Sequence, residues 1–428
     1  VLALRWGGKF VTCGATSGFD ADLDIRHLWT KQLSLLGSHV GNHNEWVDSN
    51  KLVLAKRIEA PVTQDRGTGH PGGHPRRPAG RPARHGGAPD HGQDRGARRV
   101  SRHVAITGVG SATPGWVLDN EALIAHCGLD VSPEWIVSRT GIASRHWLEP
   151  ERTTSDLAAE AVRAILADAG VAPEEVDRLV FATVSPDLPT PATATRVLAK
   201  TGMRCPAFDL AATCAGFLYG LELGAAAIRG GSEKVLVLCA EARSRFIDTT
   251  NRRAAVLFAD GAAGVLLEPA DTPGVLDVVI GAEGMEMLAA YVPAGGAAEP
   301  LTPEGLAAGR HQLHVDGRND IFQHFLRLTQ EAVDGVLART GLTLDDIDLL
   351  VPHQGNARLT EAIADLLGMP RERTANTITH HGNVSGASIP LALADLRALG
   401  RLQPGQTALL VAVGAGAAFG AAVVRLHR

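Results

Sequence analysis

Apolar runs and helical stripes alternate along most of this chain. His103-Val-Ala-Ile-Thr-Gly-Val-Gly110 is an apolar run that ends in glycine and predicts a strand. Helical spacing follows over 119–127, again from Ser132-Pro133 onward, and over 155–169, where Gly170 stops it. Residues 176–183 read as a strand, 389–399 as a helix and 421–426 as a final strand. One stretch stands apart. Phe208-Asp-Leu-Ala-Ala-Thr-Cys214-Ala-Gly-Phe-Leu-Tyr-Gly-Leu221 runs from an apolar strand pattern through small residues to a cysteine. No charge follows until Glu222, and the segment closes at Arg229-Gly230-Gly231. A helix with almost no polar face is expected inside the protein, with Cys214 at its N-terminus, where the macrodipole and free N–H groups favour a thiolate.

The helix–strand pattern repeats. Ala161-Val-Arg-Ala-Ile-Leu-Ala-Asp-Ala-Gly170 and the following residues to Val180 match Ala332-Val-Asp-Gly-Val-Leu-Ala-Arg-Thr-Gly341 and onward to Val351, at a constant offset of 171 residues. Val235-Leu-Val-Leu-Cys-Ala echoes Ala408-Leu-Leu-Val-Ala-Val. Two similar series of helices and strands predict a duplicated α/β domain, with halves over 103–275 and 276–428. A site built from strand ends of both halves is the natural consequence.

Composition narrows the function classes. The 428 residues carry a net charge of −5, which offers no basic surface for nucleic acid or an anionic membrane. Five cysteines (Cys13, Cys127, Cys205, Cys214, Cys239) form no CxxC pair, so neither a disulfide framework nor a metal site is expected. There is no long apolar run and no signal-peptide pattern, and a cytoplasmic setting is the expectation.

The first hundred residues have another character. Lys9-Phe-Val-Thr-Cys-Gly14 and Leu33-Ser-Leu-Leu-Gly37 read as short strands, with helical or mixed periodicity over 25–36. Residues 1–64 resemble the late nucleotide-binding region of medium-chain dehydrogenases/reductases, through Gly7-Gly-Lys-Phe-Val-Thr-Cys-Gly-Ala-Thr-Ser-Gly18 and Lys31-Gln-Leu-Ser-Leu-Leu-Gly-Ser38. That family's first glycine-rich turn has no counterpart here, so no reductase activity is expected. Residues 65–102 are rich in Gly, Pro, Arg and His and contain no Leu, Ile, Phe or Met. Such a segment buries too little apolar surface to offset its ordering entropy and is expected to be a disordered linker. Its histidines are irregularly spaced and predict no metal site.

Three further stretches carry chemical residue types. Leu349-Leu-Val351 leads into Pro352-His353-Gln354-Gly-Asn356. Thr379-His-His-Gly-Asn383-Val-Ser-Gly-Ala-Ser388 precedes a helix. Val413-Gly414-Ala-Gly416 precedes the last strand, so it is not a dinucleotide turn. Singly, each reads as an ordinary loop, and Cys214 as a buried structural cysteine.

In this order and spacing the four stretches resemble those of the thiolase-fold condensing enzymes, most nearly beta-ketoacyl-acyl-carrier-protein synthase III, over all of 103–428. The resemblance implies a layered αβαβα fold and a homodimer. It implies a decarboxylative condensation of an acyl-CoA primer with malonyl carrier protein that starts fatty acid or polyketide synthesis, without a cofactor. Chain-elongating ketosynthases use two histidines where His353 and Asn383 stand here, and thiolases place a second cysteine in the glycine-rich turn. By resemblance Cys214 is the acylated nucleophile. His353 and Asn383 hold the malonyl thioester oxygen. The backbone N–H groups of Cys214 and Ala415 form the oxyanion hole, with alanine at the latter position where the family usually has glycine. Trp135, Arg139 and Arg252 match the nucleotide end of the CoA site and Asn319 its pantetheine arm. Phe217 falls near the malonyl group, Thr190 lines the acyl pocket, and Arg358 docks the acyl carrier protein. Two rival readings remain: acyl transfer to a hydroxyl or amine by the same thiol, and an NAD(P)H-dependent reductase resting on residues 1–64.

Overall fold

The computed structural model describes residues 102–284, 290–315 and 319–426, together with the backbone of Lys9–Cys13 and Ser34–Ser38. The chain divides into two compact units, Val1–Gly92 and Gln93–Arg428. In the first, Lys9–Cys13 and Ser34–Ser38 pair in parallel. The linker expected over 65–102 and the helical pattern over 25–36 lie outside the described residues, except for Arg102 and the strand that begins at Ser34.

In the second unit the first half runs β1 (His103–Ala112), β2 (Trp116–Asp119), α1 (Asn120–Cys127), α2 (Pro133–Thr140), β3 (Ser144–Trp147), α3 (Thr154–Ala169), β4 (Arg178–Ala182), α4 (Thr193–Thr201), β5 (Ala207–Leu210), α5 (Gly216–Arg229), β6 (Val235–Ala242) and β7 (Asp260–Ala270). The second half continues with β8 (Val275–Ala282), α6 (Asn319–Thr340), β9 (Leu349–Pro352), α7 (Ala357–Leu366), α8 (Ser388–Ala398), β10 (Thr407–Gly414) and β11 (Ala418–Arg425). Local chemistry sets the helix ends. Asp119 and Ser132 cap α1 and α2, whose chains leave through left-handed Gly128 and Gly141.

The sheets repeat one topology. The first has the order β1-β7-β6-β4-β5 and the second β8-β11-β10-β9. In each, two antiparallel pairings are followed by a parallel one, β6 with β4 and β10 with β9. A parallel bridge from Leu350 to Thr374 takes the place of the β4–β5 pairing. The last strand begins at Ala418, earlier than its apolar run suggests, because it pairs along its length with both β10 and β8.

The layers follow from alternation along strands that are apolar on both faces. In β6, Val235, Val237 and Cys239 face a central core with α5 and α8, while Leu236, Leu238 and Ala240 pack with α3. In β10, Ala408, Leu410 and Ala412 face the same central core, while Leu409, Val411 and Val413 pack with α6. The result is α3, sheet, α5 with α8, sheet, α6: the αβαβα sandwich of a thiolase-like fold.

Helix α5 departs in part from expectation. Phe217, Leu218, Leu221, Ala225 and Ile228 are buried, but Leu223 is 39% exposed. Gly220 and Gly224 let the helix press onto β6, where a Cβ would meet Val237 at 2.9 and 2.7 Å. This close seat covers one side and leaves the opposite one open within the single chain.

Candidate active site

Cys214 lies in a tight turn, Thr213–Ala215, that feeds directly into α5. The second half has the same device: Ser385–Ala387 feeds into α8. The residue opening each turn is held at positive φ, Thr213 at 46° and Ser385 at 49°. Neither is glycine, so both backbones are strained. In this alignment Gly386 stands where the first half has Cys214. A Cβ there would lie 3.0 Å from the Thr213 carbonyl oxygen. The repeat therefore brings the two turns into contact and leaves one of them without a cysteine.

A cavity of about 340 Å³ opens beside Cys214 and is lined by residues of both halves, among them His353, Asn383, Ser385, Gly414 and Ala415. The protein thus assembles Cys214, His353 and Asn383 from three loops at one site. Gly414 is packed against the Cys214 turn, where a Cβ would stand 2.2 Å from Thr213 Oγ1 and 2.8 Å from Cys214 N. Thr213 Oγ1 donates to the Ala415 carbonyl at 3.0 Å and ties the Cys214 turn to the glycine-rich loop. Ala415 is not at positive φ, so alanine is accommodated in place of glycine.

The polar side chains are oriented by their neighbours. His353 is 4% exposed, with Nδ1 2.7 Å from Ser388 Oγ. That hydroxyl already accepts from Gln354 N–H at 3.2 Å, so its own proton is free to go to Nδ1. The remaining ring proton is then on Nε2. Burial holds His353 down to about 4, hence neutral at pH 7. Asn383 Oδ1 accepts from Ser385 N–H at 2.9 Å, which leaves the amide NH₂ as the donor. The Asn383 backbone is pinned to the first half, donating to Leu257 O and accepting from Ala259 N–H. Gln354 braces the loop: its Oε1 accepts from Thr377 and Ile378, and its Nε2 donates to Pro352 and Ala375. His381, beside Asn383 in sequence, pairs with Asp395 at 2.6 Å and is absent from the cavity lining.

Cys214 differs from the readily ionised thiol that a helix N-terminus suggests. Burial pushes it up to about 11, opposed by the Ser385 hydroxyl and Arg243 and reinforced by Glu241. Desolvation outweighs the favourable charges because the cavity wall is largely apolar.

The peripheral residues divide. Arg252 stacks on the Trp135 ring at 5.3 Å, and Arg139 is exposed on the same helix as Trp135. Arg358 is exposed, and its Nη2 donates to Ser138 O at 3.2 Å, next to Arg139. Asn319 opens α6, and its side chain lies outside the described residues. Two residues lie outside the cavity lining of the single chain. Phe217 does not face the reacting groups; its ring is fully buried in the central core, because the first turn of α5 directs it between the sheets. Thr190 is exposed and does not line the cavity of this chain, because its loop runs over the surface. Arg243, Ser385 and Ser388 escaped the sequence reading. Two charges at the end of the all-apolar run 235–240, Glu241 and then Arg243, were the one available sign of it.

The sequence matches the family described as 3-Oxoacyl-[acyl-carrier-protein (ACP)] synthase III over residues 208–284, and its C-terminal part over 337–426. A beta-ketoacyl-[acyl-carrier-protein] synthase III of Symbiobacterium thermophilum is 41% identical over 330 residues, 76% of this chain and 99% of the relative. Another from Streptomyces coelicolor is 40% identical over 332 residues, 76% of this chain and 98% of the relative. The solved 3-oxoacyl-(acyl carrier protein) synthase III of Pseudomonas aeruginosa superposes with a TM-score of 0.70 at 35% identity, covering 76% of this chain and 99% of that one. The priming beta-ketosynthase of the R1128 polyketide pathway gives 0.69 at 32% identity, over 76% and 97%.

Proposed function

We infer the role of each site residue from the premise that this chain belongs to the beta-ketoacyl-[acyl-carrier-protein] synthase III family. It is an acyltransferase that condenses an acyl-CoA primer with malonyl carrier protein, releasing carbon dioxide and 3-oxoacyl carrier protein. The observation that carries the residue assignments is the convergence of Cys214, His353 and Asn383 on one cavity, with both neutral donors already oriented.

In the first half-reaction the Cys214 thiolate attacks the primer thioester carbonyl. The developing oxyanion is met by the N–H groups of Cys214 and Ala415, and CoA leaves as its thiolate. In the second, the malonyl thioester oxygen lies between His353 Nε2–H and the Asn383 amide. Loss of carbon dioxide leaves the electron pair in an enolate, and both donors strengthen as the charge appears. The enolate carbon attacks the acyl-Cys214 carbonyl, and Cys214 departs as the thiolate. A neutral imidazole suits this step, since it donates without needing to ionise. These roles also favour condensation over acyl transfer to a hydroxyl or amine, which has no use for two donors aimed at an enolate.

Trp135 and Arg252 form the adenine end of the CoA site, Arg139 meets its phosphates, Asn319 contacts pantetheine, and Arg358 docks the carrier protein. Exposed Leu188, Phe208 and Leu223 support a homodimer. Residues 1–64 derive from a dehydrogenase/reductase-like fragment outside this chemistry. No described helix is long and apolar enough to cross a membrane, and a cytoplasmic enzyme is the reading we adopt. The test is intact-protein mass spectrometry with acyl-CoAs. The wild type gains one acyl mass and Cys214→Ser gains none; a labelled serine variant would remove Cys214 from the role.

A further inference from the structure

The acyl cavity contains a cation that no step of the condensation above brings into contact with substrate. Arg243 follows directly on β6 and lines the cavity with Cys214. It is 6% exposed. Val184, Leu257, Phe258, Ile321 and Phe325 supply much of the apolar lining of the same cavity. The guanidinium lies 5.5 Å from the centre of the Phe258 ring and 5.9 Å from that of Phe246. Among the described residues Nη1 donates to the Val184 carbonyl at 3.3 Å, and Nε is buried without a partner.

Glu241, two residues earlier, is not a contact counter-ion. Its oxygens are engaged by Val184 N–H at 3.3 Å and by the Ser185 hydroxyl at 2.5 Å. Burial also pushes Glu241 up to about 7, against the pull of the Arg243 charge, which disfavours its ionised form as a partner for the guanidinium. A guanidinium removed from water with an unmatched donor is costly unless an anion meets it. Two aromatic faces offset part of that cost. They do not satisfy the N–H groups, whose planar fork fits a carboxylate.

We propose that Arg243 selects the primer: the acyl group loaded onto Cys214 carries a carboxylate at its far end, as in a dicarboxylic acid monothioester, and Arg243 binds that carboxylate. The inference rests on Cys214 being the acylated residue. A neutral alkanoyl chain would instead lay methyl groups against a buried cation and leave it unmatched. Specificity of this kind is steep, because the wrong ligand leaves a desolvated polar group unpaired.

The shared chemistry, a carboxylate near the thiol, has a second source in the malonyl group, and the experiment separates the two. Acylation of the full chain is timed by intact mass with succinyl-CoA and glutaryl-CoA against butyryl-CoA and valeryl-CoA, for the wild type, Arg243→Leu and Arg243→Lys. The expected result is at least tenfold faster loading of the dicarboxylic member of each pair by the wild type. Arg243→Lys keeps a reduced preference, and Arg243→Leu reverses it. Equal or faster loading of the neutral members by the wild type overturns the proposal, even if Arg243→Leu does not fold. Unchanged loading ratios in Arg243→Leu, with slower carbon dioxide release from malonyl carrier protein by preloaded enzyme, assign the guanidinium to malonate and also overturn it. Loading by neutral primers alone sinks this inference but leaves Cys214 as the nucleophile. No loading by any primer overturns both.

Discussion

Ser388 Oγ lies 2.7 Å from His353 Nδ1 and, through the same oxygen, accepts the Gln354 N–H. The first residue of α8 thereby decides which ring nitrogen of a loop histidine carries the proton. Ser388→Ala should leave Cys214 acylation intact and slow carbon dioxide release from malonyl carrier protein. The lost hydrogen bond corresponds to about 1–3 kcal/mol, a roughly 5- to 150-fold effect. Separate assays of the two half-reactions check this. Equal slowing of both would reduce Ser388 to a packing role.

The state of Cys214 is testable by its pH dependence. With the thiol pushed up to about 11, the reactive thiolate is a minor species at neutral pH. Its fraction should rise about tenfold per pH unit. Iodoacetamide alkylation of Cys214, followed by peptide mapping, should therefore accelerate continuously from pH 7 to 9.5. A plateau beginning near pH 7 would mean that the N-terminus of α5 outweighs burial.

Glu241 links the site to stability. Its carboxyl is pushed up to about 7 by burial, above the ordinary value of about 4.3 in an unfolded chain. The stabilisation is complete below that ordinary value and is lost as pH rises toward about 7. Glu241→Gln cannot ionise. Its melting temperature relative to the wild type should climb between about pH 4 and 7 and then level off, a difference of roughly 3 kcal/mol in stability. A flat difference across that range would mean that folding does not shift the Glu241 carboxyl.

Gly414 has no room for a side chain, since a Cβ would meet Thr213 Oγ1 and Cys214 N. Gly414→Ala should displace the nucleophile turn and the backbone donors with it. Loss of an oxyanion-hole donor costs about 10²–10³ in rate. Stopped-flow CoA release would register that loss, and near-wild-type release would show that the two loops yield without consequence.

Much of the fold was legible because its signals are local. Helix ends are written in caps such as Asp119 and in glycines such as Gly128 and Gly170. Both sheets are covered on both faces, so β6 and β10 appear as unbroken apolar runs. The repeat was visible because each half must solve the same packing problem. Cys214, His353 and Asn383 could be singled out by type and order, each close to a strand end or the start of a helix.

Tertiary structure decided what the side chains do there. Nothing near Phe217 in sequence says that its ring enters the core, since that depends on how α5 is seated by Gly220 and Gly224. The expectation of an easily ionised Cys214 followed from the helix alone. The desolvation that reverses it comes from residues remote in sequence, Phe258, Ile321 and Val413 among them. Arg243 is an ordinary arginine after a strand until the second half closes over it. Sequence thus determined the elements and the reactive groups, which rest on short-range periodicity and residue chemistry. Burial, proton position and the unmatched guanidinium required the folded chain, because each is set by atoms that only the fold brings together.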